Sequence, residues 1–245
     1  MLGVDNHMLN KKSLHVYSSG AVAPPIKKCA EDFTAKHGTD FEFTVDKAEK
    51  LISEITKLKQ GDILTCGAEF IFDEAQVKGL ISGETRKSVG YRRSAILVPK
   101  GNPKGIESIS DLANEGMRVG ISISGCLLGL WDEVSSKAGL TDKIRKNITD
   151  FADGCGEVAA LINQKKVDAV FGWDAFQKLW PATIEVVDLP RELQVFRSTG
   201  IAVIQFSKQK EAATQFIDYA TSEKGKQIYR SYGWIHTSPE PYYVL

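Results

Sequence analysis

The chain has 245 residues, enough for one large domain or two lobes of ordinary size. Its 42% hydrophobic and 25% charged content excludes disordered and collagen-like classes. Lys+Arg and Asp+Glu both number 31, so there is no global electrostatic footprint for nucleic acid or an anionic membrane surface.

In chain order, Leu14–Tyr17 reads as a strand, and Ser18, Ser19 and Gly20 follow it before an amphipathic helix opens behind Pro24 and Pro25. That helix aligns Ile26, Cys29, Ala30 and Phe33 and stops at Gly38. The alternation in FEFTV predicts a half-buried strand, and a helix aligning Leu51, Ile52, Ile55 and Leu58 ends at Gly61. DILTCG reads as a strand running into Cys66 and Gly67, with a short helix expected near Glu74–Lys78. The strongly apolar AILV stretch then runs into a Pro/Gly/Asn turn, and Ser110 or a neighbour caps a short helix. MRVGI is a strand that feeds a second small-residue loop, Ser122, Ser124 and Gly125. The helix expected behind it aligns Leu127, Leu130, Trp131 and Val134 and closes at Gly139. A loop and helix over DGCGEVAALINQKK, the strand VDAVFGW, a short helix from Asp174 and the strands TIEVVDL and QVFRSTGIAVI follow. Two helices, near Lys208–Thr221 and Ser222–Tyr232, end at Gly233.

This alternation predicts an α/β fold with mostly parallel sheets. The strand, small loop and helix of the start recur about a hundred residues later. Unpaired amides and the helix dipole at such a junction favour negative charge. Two of them suggest two lobes facing one ligand. The chain would cross near Tyr91–Ala95 and return near Phe196–Gly200, making a hinge with a cleft for a small solute. Lobe 1 would comprise residues 1–93 and 199–245, and lobe 2 residues 94–198.

Cys29, Cys66, Cys126 and Cys155 are dispersed without a CxxC pair, which argues against a zinc site and a disulfide framework. His7, His15, His37 and His236 show no metal-ligand spacing, so no metal or other cofactor is expected. No stretch approaches the roughly 20 apolar residues that span a bilayer. MLGVDNHMLNKKS lacks the apolar core of a secretory signal, which is consistent with a signal already removed or with an intracellular protein.

The segments DILTCGAEF, YRRSAILVPKGNPKGIESISDLANEGMRVGI, VDAVFGWDAF, LQVFRSTGIAVI and the closing IYRSYGW resemble type II periplasmic solute-binding proteins. The resemblance runs from about Leu14 to Trp234 and is nearest the molybdate/sulfate-type receptors and the accessory colonization factor AcfC-like proteins. It implies two α/β lobes joined by two hinge crossings, each with a mixed, mostly parallel sheet flanked by helices. It also implies a small oxyanion or organic carboxylate or phosphate as ligand, a monomer in an extracytoplasmic compartment, and an ABC-type membrane permease as partner. Carried over by position, Ser18, Ser19 and Gly20 form the first binding loop, and Gly67 and Ala68 the loop after the second core strand. Arg93 stands at the first crossing, Ser124, Gly125 and Cys126 in the second-lobe loop, Asp174 beside Trp173, and Arg197 and Ser198 at the return crossing. Glu69 occupies a position where relatives have a small or hydroxyl residue, and Cys155 one where they have serine.

Arg93 and Arg197 have two readings, interlobe ion pairs or bidentate anion contacts. Asp174 also reads as a helix N-cap. Two other functions fit the same residues: a cysteine-dependent enzyme using Cys126 or Cys155, and capture of a divalent metal by Glu69 and Asp174.

Overall fold

The computed structural model describes residues 13–237; His7 and, but for Ser13, the segment read for an export signal lie outside them. The chain begins with β1 (Ser13–Ser19), α1 (Ala23–His37), β2 (Asp40–Asp46), α2 (Ala48–Leu58), β3 (Ile63–Cys66) and α3 (Glu69–Val77). A long strand, β4 (Lys87–Pro99), leads to β5 (Val119–Ser122), α4 (Leu130–Lys137), α5 (Thr141–Arg145), β6 (Ile148–Ala152), α6 (Cys155–Asn163) and β7 (Ala169–Trp173). Then come α7 (Phe176–Leu179), β8 (Ile184–Asp188), β9 (Phe196–Val203), α8 (Lys210–Thr221) and α9 (Glu223–Ser231).

The strands lie in the order β2-β1-β3-β9-β4-β7-β5-β6, with β8 also paired to β4. Parallel pairs (β1 with β2 and β3, β5 with β6 and β7) flank an antiparallel seam formed by β4 and β9. The seam is built around β4. Its first part, Lys87–Arg93, pairs with β9, and its second, from Ser94 on, pairs with β7 and β8. One strand therefore belongs to two half-sheets. Phe196 to Ser198, grouped with the second lobe in the sequence reading, pair with Arg93 to Tyr91 in the first half-sheet, because β9 runs unbroken to Val203.

Each half buries its own core. Leu97, Val119, Ile121, Val158, Phe171 and Trp173 pack within the second half. In the first, α1, α8 and α9 cover one face through Ile26, Phe33, Phe216 and Tyr229, while α2 and α3 cover the other through Leu51, Ile55 and Phe72. Each such side chain, removed from water, contributes roughly 1.5–3 kcal/mol before chain entropy is subtracted. Trp234 ties the end of the described chain to the seam, donating from Nε1 to Thr199 Oγ1 at 2.9 Å.

Three junctions differ from the sequence reading in ways that shape the site. α3 starts at Glu69, directly after Ala68, and not near Glu74. The helix near Ser110 is a 3₁₀ turn, Ile109–Ala113, closed by a capping box between Ser108 and Asp111. Behind the second loop, Gly125–Leu127 forms a 3₁₀ turn and Gly129 takes a left-handed φ of 73° before α4 begins at Leu130. That positive φ, easy for glycine alone, separates the loop amides from α4. The second-half helix that opens toward the cleft is α6 instead.

Candidate ligand-binding site

Between the half-sheets lies a cavity of about 440 Å³. Ser19, Gly20 and Ala21 enter it from the end of β1, and Gly67 and Ala68 from the end of β3. Lys47, Ala48 and Glu49 line it at the start of α2, facing Ser124–Cys126 and the first turn of α6, Gly154–Glu157. The N-caps of α2, α3 and α6 are Lys47, Ala68 and Gly154, none of which hydrogen-bonds a first-turn amide through its side chain. The N-termini of three helices, none capped by its N-cap side chain, thus open on one space.

Its floor is Arg92. This side chain is 0% exposed. Nη2 donates to the Gly67 carbonyl, and Nη1 lies 3.1 Å from Cys126 Sγ. The guanidinium sits 4.9 Å from the Trp173 ring centroid and 5.8 Å from that of Trp234. Nε has no hydrogen-bond partner, and no carboxylate pairs with Arg92 among the described residues. A buried cation is costly unless an anion pairs with it; no carboxylate does so among the described residues, which leaves the Cys126 sulfur at 3.1 Å and an incoming ligand as the candidates. Gly67 makes the seat possible: a Cβ there would stand 2.9 Å from Arg92 Cζ.

Beside Arg92 stands a pair of free thiols. Cys126 Sγ and Cys155 Sγ are 3.1 Å apart, and Trp173 Nε1 donates to Cys126 Sγ at 3.3 Å. The hydrogen bond from Cys155, joined by the Arg92 charge and the Trp173 N–H, holds the Cys126 thiol well below its ordinary range despite burial. Cys155, which gives that hydrogen bond and faces the resulting negative sulfur, is pushed up. Burial drives Cys66 and Cys29 up to about 12, so they stay protonated.

Across the mouth, the two halves touch through polar groups. Lys47 forms an ion pair with Asp153 and lies 3.5 Å from Glu157, while Asp153 Oδ1 also accepts from Ser124 Oγ at 2.6 Å. Glu49 Oε1 accepts from the Gly125 amide at 3.3 Å, so a carboxylate of the first half already rests on a backbone N–H of the second. An amide that accommodates this carboxylate suits a ligand carboxylate or phosphate equally.

The profile of the bacterial extracellular solute-binding protein family matches residues 14–235. The chain belongs to that family. The molybdate-binding protein ModA of Mycobacterium tuberculosis is 24% identical over 230 residues, covering 89% of this chain and 82% of ModA. PEB3 of Campylobacter jejuni, solved with L-phospholactate bound, superposes with a TM-score of 0.81 at 23% identity, covering 91% of this chain and 99% of PEB3. The sulfate-binding protein SubI of Mycobacterium tuberculosis superposes with a TM-score of 0.80 at 16% identity, covering 93% of this chain and 88% of SubI. The fold is accordingly the two-lobed type II periplasmic-binding-protein architecture.

Within this solute-binding protein, the residues singled out from sequence separate into two groups. Ser19, Gly20, Gly67, Ala68, Ser124, Gly125, Cys126 and Cys155 line the cavity. Ser18 does not: it is buried and donates to the Ser19 carbonyl at 3.2 Å. Arg93 faces away, giving Nε to Asp174 and Nη2 to Asp188, each at 2.9 Å. Adjacent residues on a strand point to opposite faces, and here Arg92, not Arg93, takes the inner one. Asp174 is spent on Arg93 and on the Ala175 amide; burial raises its carboxyl against the pull of Arg93. Glu69 pairs with Arg86, and neither Arg93 nor Arg197 meets it. Since Glu69 and Asp174 each turn to an arginine of their own, they form no joint metal site.

Arg197 lies opposite Arg92 in the β4–β9 register but reaches the carbonyls of Cys126 and Leu128 at 3.0 and 2.8 Å and Glu133 at 3.3 Å. It is a clamp on the second loop. Ser198 bonds Ser88 at 2.8 Å in the seam. Sequence reasoning missed Arg92, Lys47, Glu49, Asp153 and Glu157. Only for Arg92 was there a signal, its place beside Arg93 at the crossing.

Proposed function

We propose that the chain is a substrate-binding protein, acting as a monomer outside the cytoplasm, that captures a small organic carboxylate or phosphate and delivers it to an ABC-type permease. The observation that carries this reading is the buried Arg92 guanidinium, which lacks a carboxylate partner among the described residues and lines one cavity with Gly20, Ala68 and Gly125. Volume supports an organic anion over a bare oxyanion. A water takes roughly 30 Å³ in the liquid, so a four-oxygen anion leaves much of about 440 Å³ unfilled. The likeness to PEB3, solved with L-phospholactate bound, supports the same class. We infer closure about two hinge points, Arg93–Ser94 on β4 and Val195–Phe196 before β9, where Ser94 and Val195 exchange hydrogen bonds at 2.8 Å. A ligand touching both halves would shift the open–closed equilibrium by its differential affinity for the closed state. Cys126 has Arg92, Trp173 and Cys155 as partners and, among the described residues, no histidine base, which supports binding over thiol catalysis.

Titration calorimetry with phosphoglycerate, citrate, phosphate, sulfate, molybdate and tungstate tests the reading. Binding of the organic anions, accompanied by a smaller radius of gyration in small-angle scattering, is expected. Silence across the whole panel overturns it.

A further inference from the structure

The thiols on the cavity floor have a chemistry that anion capture leaves unused. Cys126 sits in the turn after β5, and Cys155 is the first residue of α6. Their sulfurs are 3.1 Å apart and both line the cavity. A disulfide requires about 2.0 Å, so an approach of about one ångström joins them. On its other side Cys126 Sγ meets Arg92 Nη1 at 3.1 Å. We propose that Cys126 and Cys155 close to a reversible disulfide in the cleft, and that this change sets how much of the Arg92 charge is available to the ligand. The second half of the proposal rests on the anion-binding reading above.

The exchange balances with a disulfide as oxidant, either a small-molecule disulfide or one on another protein. The Cys126 thiolate, which Arg92 and the Trp173 N–H stabilise, attacks one oxidant sulfur and a thiolate leaves. Cys155 then loses its proton to that leaving thiolate and attacks the Cys126 sulfur, expelling the second thiolate, which takes a proton from solvent. Two protein thiols are oxidised, and one external disulfide is reduced to two thiols. In the dithiol state the Cys126 sulfur, 3.1 Å from Arg92 Nη1, competes with the ligand for that N–H. In the disulfide that sulfur is neutral, and Nη1 is freed. Both cysteines belong to the second half, so the bond leaves the lobes free to move.

The test equilibrates the full chain in oxidised and reduced glutathione, maps its peptides without reduction, and titrates each state with phosphoglycerate and sulfate. A Cys126–Cys155 cross-linked peptide pair, lighter by two hydrogen atoms and reversed by dithiothreitol, is expected. So is anion binding about tenfold tighter in the oxidised state, the worth of one charged hydrogen bond. Cys126→Ser, which lacks the attacking sulfur, should bind identically in both buffers, whereas Cys155→Ser should trap Cys126 as a mixed disulfide with glutathione in the oxidised buffer, seen as a mass gain that dithiothreitol reverses. If both thiols remain alkylatable in every buffer, the disulfide is overturned. Cross-linking with unchanged affinity overturns the charge control alone. Cross-linking with no anion bound in either state overturns the binding reading and with it the charge control, while the disulfide stands.

Discussion

The two walls of the cavity are held by different means. On the first, Ser19–Ala21 and Gly67–Ala68 continue directly from β1 and β3, whose central residues are buried and laddered on both sides. Strand order alone places them. On the second wall, Ser124–Cys126 leaves β5 through a turn that no ladder supports, and side chains from afar fix it. Arg197 grips its carbonyls, and Asp153 grips Ser124. One wall is a consequence of the sheet; the other is a clamp that a single substitution can loosen.

Substitutions on the rigid wall should therefore cost the most. Arg92→Met removes the buried cation, and with hydrogen bonds to charged groups worth about 1.5–3 kcal/mol each, at least about a hundredfold loss of anion affinity is expected by calorimetry. Arg93→Met, one residue along on the other face, should stay within a few-fold. Equal losses from the two would erase the distinction between the faces of β4. Next comes Gly67→Ala, whose methyl displaces the guanidinium from its carbonyl. Overpacking of this kind costs about 1–3 kcal/mol, so about a tenfold loss of affinity with a lowered melting temperature is expected. Unchanged affinity would show that Arg92 has room to shift.

On the clamped wall, effects should be smaller and differ in kind. Arg197→Met removes two guanidinium bonds to the turn's carbonyls and the exposed Glu133 pair, which act on the turn and not on the ligand itself. It should weaken binding several-fold and speed alkylation of Cys126 as the turn loosens. Slower alkylation would mean that Arg197 restrains nothing. The smallest effect belongs to the exposed link across the mouth. Hydrogen bonds from Lys47 and then Ser124 hold the Asp153 carboxyl below its usual range. A depressed carboxyl supports closure above its ordinary range, and that support is lost as pH falls through the lowered value. Small-angle scattering of the liganded protein should show the closed fraction declining on acidification, and Asp153→Asn should flatten the profile.

What could be read from the chain, and what could not, follows the same division. Small residues after an apolar strand announce a turn at a sheet edge, which is why Ser19, Gly20 and Gly67 were visible in one dimension. Choosing between Arg92 and Arg93 needs the phase of β4: the structure buries Gly90, Arg92 and Ser94 and leaves Tyr91 and Arg93 half-buried, an alternation that the residue types at these positions do not announce. Lys47 and Asp153 stand 106 residues apart and contact each other only once two lobes meet. Behind the second loop, a 3₁₀ turn and the left-handed Gly125 and Gly129 separate the loop from α4, and α6 faces the cleft instead.

By itself, then, the sequence determined the alternating α/β order, the small-residue ends of β1, β3 and β5, and the two lobes, because each is written in local period and turn chemistry. Only the tertiary structure decided which arginine faces inward, which two thiols meet, and which charges bridge the mouth. Those depend on distances between segments remote in the chain, and local pattern carries no information about them.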